Sequence, residues 1–130
     1  MATNSRAVLK DKRIGIYKKV TYKDAGFQTT GYMPITESGE FWAYFKQLSA
    51  SLLYANNSVT DKEECLFRVN WNDYVRHSYA TDLFIYYQNT VYQVTRIDPF
   101  EDYKRDLVLY AKTTNTARLS PVIPYDPSKL

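Results

Sequence analysis

The chain is poor in the residues that cross-link or specialise a fold. Of its 130 residues one is a cysteine, Cys65, and one a histidine, His77. A single thiol closes no internal disulfide and builds no cysteine zinc cage. Glycine and proline number only four and five, which excludes a collagen-like or low-complexity chain and leaves no phosphate-cradling glycine loop. No apolar run reaches membrane-spanning length, and no N-terminal stretch has the form of a signal peptide. The expectation is a protein made in a reducing cytoplasm, without disulfide, metal or cofactor.

What the chain has in quantity is tyrosine. Thirteen tyrosines raise the aromatic share to 16%. Tyrosine suits a pleated, half-buried surface, because its ring packs while its hydroxyl stays wet. It is also a residue of interfaces. The composition therefore leans toward β structure with contact surfaces, in a chain long enough for one cored domain.

Charge is uneven. Residues 1–23 hold seven basic side chains against Asp11 alone, a surplus of six, so with a total of +3 the remainder is net −3. Arg6, Lys10, Lys12, Arg13, Lys18 and Lys19 are the candidate basic contacts, toward nucleic acid or an acidic protein surface.

Periodicity divides the chain. Residues 1–12 read as a flexible basic arm and 13–112 as the folded domain. RIGIYKKV (13–20) alternates, with Ile14, Ile16 and Val20 on one face and Lys18 the exception. Residues 21–37 sustain no period and read as a long loop, a common seat of function. Its Phe27, Gln28, Thr29, Tyr32 and Met33 are candidate contacts. FWAYFKQL (41–48) is apolar on both faces, the pattern of a strand buried twice. Residues 49–60 allow one short helix. KEECLFRVNW (62–71) alternates strictly, with Cys65, Phe67, Val69 and Trp71 on one face. YVRHSYA (74–80) reads as a linker or short strand. LFIYY (83–87) and VYQVTRI (91–97) flank an Asn-centred turn, the signature of a hairpin. Asp98-Pro99 ends that strand, residues 100–104 form a turn, and RDLVLYAK (105–112) is the last strand. Residues 113–130, with Pro121, Pro124 and Pro127, read as an extended tail whose candidate contacts are Pro121, Ile123 and Tyr125. The fold class is mainly β: a small antiparallel β-barrel of five to six strands, with at most one short helix, a long loop and extended termini.

A search for chemistry leaves no constellation. His77 has no second His or Cys to join it at a metal and no nucleophile to activate. Cys65 lies on the apolar face of the clearest strand and reads as a small core residue. The acidic groups Asp61, Glu63, Glu64 and Asp98, Glu101, Asp102 lack calcium-loop spacing. Tyr86, Tyr87 and Tyr92 beside Arg96 offer stacking faces of the kind that oligonucleotide-binding barrels use, against an acidic balance over 24–130. The chain reads as a non-enzyme.

The order of segments resembles the head–tail joining, or head-completion (head-closure, stopper), proteins of long-tailed bacteriophages. The resemblance runs over about 13–112. It takes in Arg13-Ile14-Gly15-Ile16-Tyr17, a loop, and Phe41-Trp42-Ala43-Tyr44-Phe45-Lys46-Gln47-Leu48. Leu66-Phe67-Arg68-Val69-Asn70-Trp71 follows. The hairpin from Asp82-Leu83-Phe84-Ile85-Tyr86-Tyr87 to Val91-Tyr92-Gln93-Val94-Thr95-Arg96-Ile97 comes next, and Arg105-Asp106-Leu107-Val108-Leu109 closes the set. Gln88-Asn89 replaces the glycine usual in that hairpin, and the Gly-Arg-Glu wording often seen before the third segment is missing between Leu48 and Glu64.

The resemblance implies a β-barrel that assembles as a homo-oligomeric, dodecameric ring. Such a ring lies below the portal and adaptor proteins, closes the DNA-filled head and docks the tail through its completion or terminator protein. It implies a place in the virion neck after assembly in the host cytoplasm, with DNA contact possible and no membrane. The alternatives are a tail-completion or tail-terminator protein and a nucleic-acid-binding β-barrel.

Overall fold

The computed structural model describes residues 9–48, 64–99, 105–114 and 116–130. Seven strands form one sheet: β1 (Lys12–Asp24), β2 (Phe27–Pro34), β3 (Glu40–Gln47), β4 (Cys65–Asn70), β5 (Leu83–Tyr87), β6 (Thr90–Pro99) and β7 (Asp106–Thr113). All the strands pair antiparallel. The expectation of five to six strands falls short because 21–37 is largely strand. The expected short helix at 49–60 lies outside the described residues, as does the turn at 100–104.

β1 organises the sheet by serving three partners. Its first residues pair with β3, from Lys12 opposite Ala43 to Gly15 opposite Glu40. Gly15 to Lys18 pair with β5, and Tyr17 to Asp24 pair with β2. Hydrogen bonding therefore runs in a closed cycle, β1-β3-β4-β7-β6-β5 and back to β1. Closure leaves those strands no free edge to manage.

The interior follows the alternation. Ile14, Ile16, Ala43, Cys65, Phe67, Val69, Leu83, Ile85, Val94, Leu107, Leu109 and Ala111 make one buried cluster. Phe45, Phe67, Tyr87 and Tyr92 stack within it, with ring centroids 5.1 to 6.5 Å apart. β3 departs from the pattern of a doubly buried strand: Ala43 is fully buried, but Trp42 on the opposite face is 52% exposed. That face also carries Glu40 and Lys46, so it faces water.

The stretch at 74–80 is neither strand nor plain linker. Asn72 caps a one-turn helix, α1 (Asp73–Arg76), its Oδ1 accepting from the Val75 N–H at 3.0 Å. Val75 drops into the core, and a 3-10 turn, Ala80–Asp82, leads into β5. The β5–β6 hairpin forms as expected, with Thr90 already in β6, paired with Tyr87, so that the turn has two residues. Gln88 and Asn89 both take positive φ, 49° and 59°, as a type I′ turn requires. β6 continues through Asp98-Pro99, where Pro99 pairs with Leu107, so the strand ends at Pro99 itself and not before it.

Candidate functional site

Beyond Lys18, β1 leaves the closed cycle and runs on with β2 as a projecting hairpin. The stretch 21–37, expected as a loop, is this hairpin with a short excursion at 35–39. Continuous pairing from Tyr17–Pro34 to Asp24–Phe27 holds it. A two-residue turn, Ala25-Gly26, closes it with φ of 53° and 86°. The sequence hides the hairpin because β2 reads Phe-Gln-Thr-Thr-Gly-Tyr-Met-Pro, with too few apolar residues to set a period. The excursion at 35–39 then lets β3 continue along the same edge of β1, anchored by the Ile35 N–H donating to the Ile16 carbonyl at 3.2 Å.

The loop candidates part company on this hairpin. Phe27 stands at the tip, 75% exposed, with Gln28 exposed beside it and Thr29 half-buried. Tyr32 and Met33 are not free anchors. Tyr32 packs edge-on against Phe84 at 5.2 Å between centroids, and Met33 is fully buried.

What covers Met33 is the C-terminal segment. It lies parallel to β2 through a bridge between Tyr32 and Val122. The Tyr32 N–H donates to the Pro121 carbonyl, and the Ile123 N–H donates to the Tyr32 carbonyl, each at 2.9 Å. The Asp126 N–H reaches Met33 Sδ at 3.3 Å, and Lys18 Nζ reaches the Lys129 carbonyl at 3.4 Å. The tail candidates Pro121, Ile123 and Tyr125 thus sit on the hairpin, with Ile123 and Tyr125 half-buried. Asp126 caps the final 3-10 turn (Pro127–Lys129). Hydrogen bonds from Ser128 and Lys129 pull its carboxyl down to about 2.

The basic residues do not form one patch. Arg6 lies outside the described residues. Lys10 pairs with Asp106 at 2.9 Å, and Arg68 reaches the other oxygen of the same carboxylate at 2.7 Å. Burial would push the Asp106 carboxyl up, but the hydrogen bonds and charges of Lys10 and Arg68 outweigh it and hold it below its ordinary value. Lys12 pairs with Asp11 at 3.2 Å. Arg13 pairs with Glu40 and lies 4.1 Å over the Trp42 ring. Lys18 sits 5.7 Å from the Tyr74 ring. Lys19 is exposed on the hairpin, as is Lys23, along the edge of β1 that meets no other strand among the described residues. Lysines there discourage indiscriminate strand pairing.

The stacking reading of the tyrosines does not fit the packing. Tyr87 and Tyr92 belong to the aromatic cluster around Phe67, and burial raises the Tyr92 hydroxyl above its ordinary value. Tyr86 donates to Asn89 Oδ1 at 2.9 Å. Arg96 lies 4.0 Å over Tyr110. Cys65 is buried, and burial beside Glu64 pushes its thiol up to about 12, far from a nucleophile. His77 is exposed, its Nδ1 2.9 Å from the Asp73 carbonyl. Among the described residues no three His, Cys, Asp or Glu side chains are grouped to hold a metal, and no helix is long and apolar enough to cross a membrane.

Two exposed aromatics were missed in the pattern. Tyr79 is 79% exposed between α1 and β5, and Trp42 stands on the outer face of β3. Glu40 and Lys46 flanking Trp42 at strand period were the available signal. Tyr79, in an irregular segment, had none.

No curated protein matches the chain. A family model does, the phage head completion protein, over residues 6–114. That span takes in the closed sheet and the whole β1–β2 hairpin. The chain therefore belongs to the phage head completion protein family, and is a viral structural protein.

Proposed function

We propose that this protein forms a homo-oligomeric ring below the portal and adaptor proteins, closes the DNA-filled head, and presents the surface on which the tail docks. The observation that carries the proposal is the family match over 6–114, which covers scaffold and projection together. The closed sheet supplies a rigid body. The hairpin, tipped by the exposed Phe27, supplies an element long enough to reach a neighbour. The outer face with Trp42 stacked under Arg13 adds an aromatic–arginine surface of the kind enriched at protein contacts.

Function in this reading is contact, not reaction. Subunits are made in the host cytoplasm and end in the virion neck, between head-side and tail-side partners. Contact with packaged DNA, where it occurs, falls to Lys19 and Lys23 on the hairpin, because Lys10 and Arg13 already serve acidic partners within the fold.

The test is a phage lacking this protein. The expected result is heads that package DNA, fail to keep it, and take no tails, with recovery when the chain is supplied in trans. Full heads that retain DNA and join tails in its absence would overturn the proposal. A Phe27→Asp chain that still folds should enter necks poorly.

A further inference from the structure

The C-terminal segment joins the sheet in a way that no strand of the fold does. It runs parallel to β2, through two backbone hydrogen bonds that bracket Tyr32. Backbone bonds of this kind read an extended chain at a strand edge. None of the described residues in 116–130 is buried. The side chains beneath, Val20 and Met33, are buried yet stand apart from the main core cluster. The segment thus shuts a small satellite of the core, and lifting it would wet Met33 while leaving the closed sheet intact.

The edge is shaped for this segment. A Cβ on Gly31 would lie 2.9 Å from Tyr22 Cε1 of the paired strand, 3.3 Å from Ile123 Cγ2 and 3.4 Å from the Pro121 carbonyl oxygen. The missing side chain lets the tail lie close. Proline at 121, 124 and 127 restricts the free segment, which lowers the cost of ordering it on any matching edge. The Thr114 N–H donates to the Val91 carbonyl at 3.0 Å and the Val91 N–H donates to the Thr116 carbonyl at 2.9 Å, and residues 117–120 cross from there to the hairpin.

The geometry points to an exchangeable strand: the β2 edge at Tyr32 is a docking site for the 121–126 segment of a second copy of this chain, which replaces the chain's own segment on assembly. A second copy is the occupant because its segment brings the same atoms to Gly31, Tyr32 and Met33. The satellite needs a cover at all times, and only exchange between copies provides it without a loss of contacts. Giving one tail and receiving another is a heterologous contact, the kind that closes rings. The inference rests on the ring reading above and names the contact that joins its subunits.

The test is the full-length chain with Tyr32→Cys and Val122→Cys, carried in phage. These two positions face each other in the parallel bridge. Native Cys65 is buried and does not compete. Dilute free chain should form the disulfide within itself. Necks isolated from virions should give a ladder of covalent multimers on a non-reducing gel. Cross-linked monomers alone, from necks in which microscopy shows a ring, would overturn the exchange and leave the ring reading standing. Necks in which microscopy shows no ring of this protein would overturn both. Because Tyr32 packs on Phe84, a second variant keeps the test open: benzoylphenylalanine at Val122 alone, 53% exposed, cross-linked by light. Multimers from necks support the exchange, and monomers alone overturn it.

Discussion

The closed sheet and the hairpin with its tail are two ways of holding a β-strand in place. In the closed sheet every strand is paired on both sides and packs on a common core, so each side chain there answers to several neighbours. In the hairpin, β1 beyond Lys18 has one partner, and β2 is completed by a tail that buries none of its own described residues. Rigidity is concentrated in the closed sheet and spared at the hairpin and tail. The proposed neck role asks for an invariant body and for adaptable edges to meet neighbours. Local stability follows buried contacts, so the hairpin should open more readily than the sheet.

The largest expected effect comes from the body. Phe67 is fully buried and stacks with Phe45, Tyr87 and Tyr92. Phe67→Ala removes a whole ring from a packed interior and should cost about 3–5 kcal/mol in chemical denaturation. Phe27→Ala, of the same chemistry at the hairpin tip, should stay within about 0.5 kcal/mol. A large loss from Phe27→Ala would break the comparison, since it would make the tip part of the core.

The second effect concerns Asp106, which ties Lys10 to the body. Asp106→Ala should cost about 1.5–3 kcal/mol, the range for hydrogen bonds to charged groups. Its pH dependence has a definite sign. The carboxyl is held below its ordinary value in the folded chain. The unfolded chain therefore takes up the proton first as pH falls. The stabilisation is present in full above the unfolded value and is lost as pH falls through the folded value. Denaturation curves between pH 6 and 2 should show wild type losing this increment and Asp106→Asn lacking it. Equal acid slopes in the two chains would remove the ion pairs from the account.

These two regions were also unequally legible. Strict alternation in KEECLFRVNW revealed β4, because one wet and one dry face imprint a period of two, and the apolar run in RDLVLYAK revealed β7, which is buried on both faces over 106–109. The Asn-centred turn revealed β5–β6. The β1–β2 hairpin stayed hidden because its apolar pattern is sparse and part of its packing comes from a tail distant in sequence: Gly31 lies against Tyr22 of β1, but also against Ile123 and Pro121, which no local window contains. Lys18, which looked like an error in the β1 pattern, marks the point where the strand leaves the closed sheet. The basic residues misled as a group. Their charge was plain, but that Lys10, Arg13 and Lys18 find partners inside the fold depends on residues far along the chain. Tyr32 and Met33 read as exposed anchors for the same reason, with the tail that covers them ninety residues away at Asp126.

A smaller effect sharpens the comparison at the tail. Gly31→Ala puts a methyl group against the Tyr22 ring and the segment, and should loosen the docking by about 1 kcal/mol once the Tyr22 ring turns aside, within the ordinary range for point changes. Trypsin should then cut faster at the exposed Arg118, with the thermal midpoint of the closed sheet nearly unchanged. A midpoint that fell with the tail would mean that satellite and core unfold as one.

The smallest effect is a gain. Ala25 holds φ at 53° in the hairpin turn, a conformation that costs an alanine roughly 1–2 kcal/mol. Ala25→Asn makes the turn Asn-Gly, the pair that type I′ hairpins favour, and should recover up to about 1 kcal/mol of that strain. Where the recovered energy is seen decides how the two regions are coupled. If the hairpin opens by itself, hydrogen exchange should slow at amides of 19–31 while global denaturation barely moves. If both shift together, hairpin and closed sheet form one cooperative unit. The hairpin continues into the closed sheet through 35–39 to β3 and, without a break from Lys12 to Asp24, through β1. Its pairing with β5 stops at Lys18, however, and strand exchange at Tyr32 needs an edge that can let go of one tail and accept another. Slowed exchange confined to the hairpin is therefore the expected outcome.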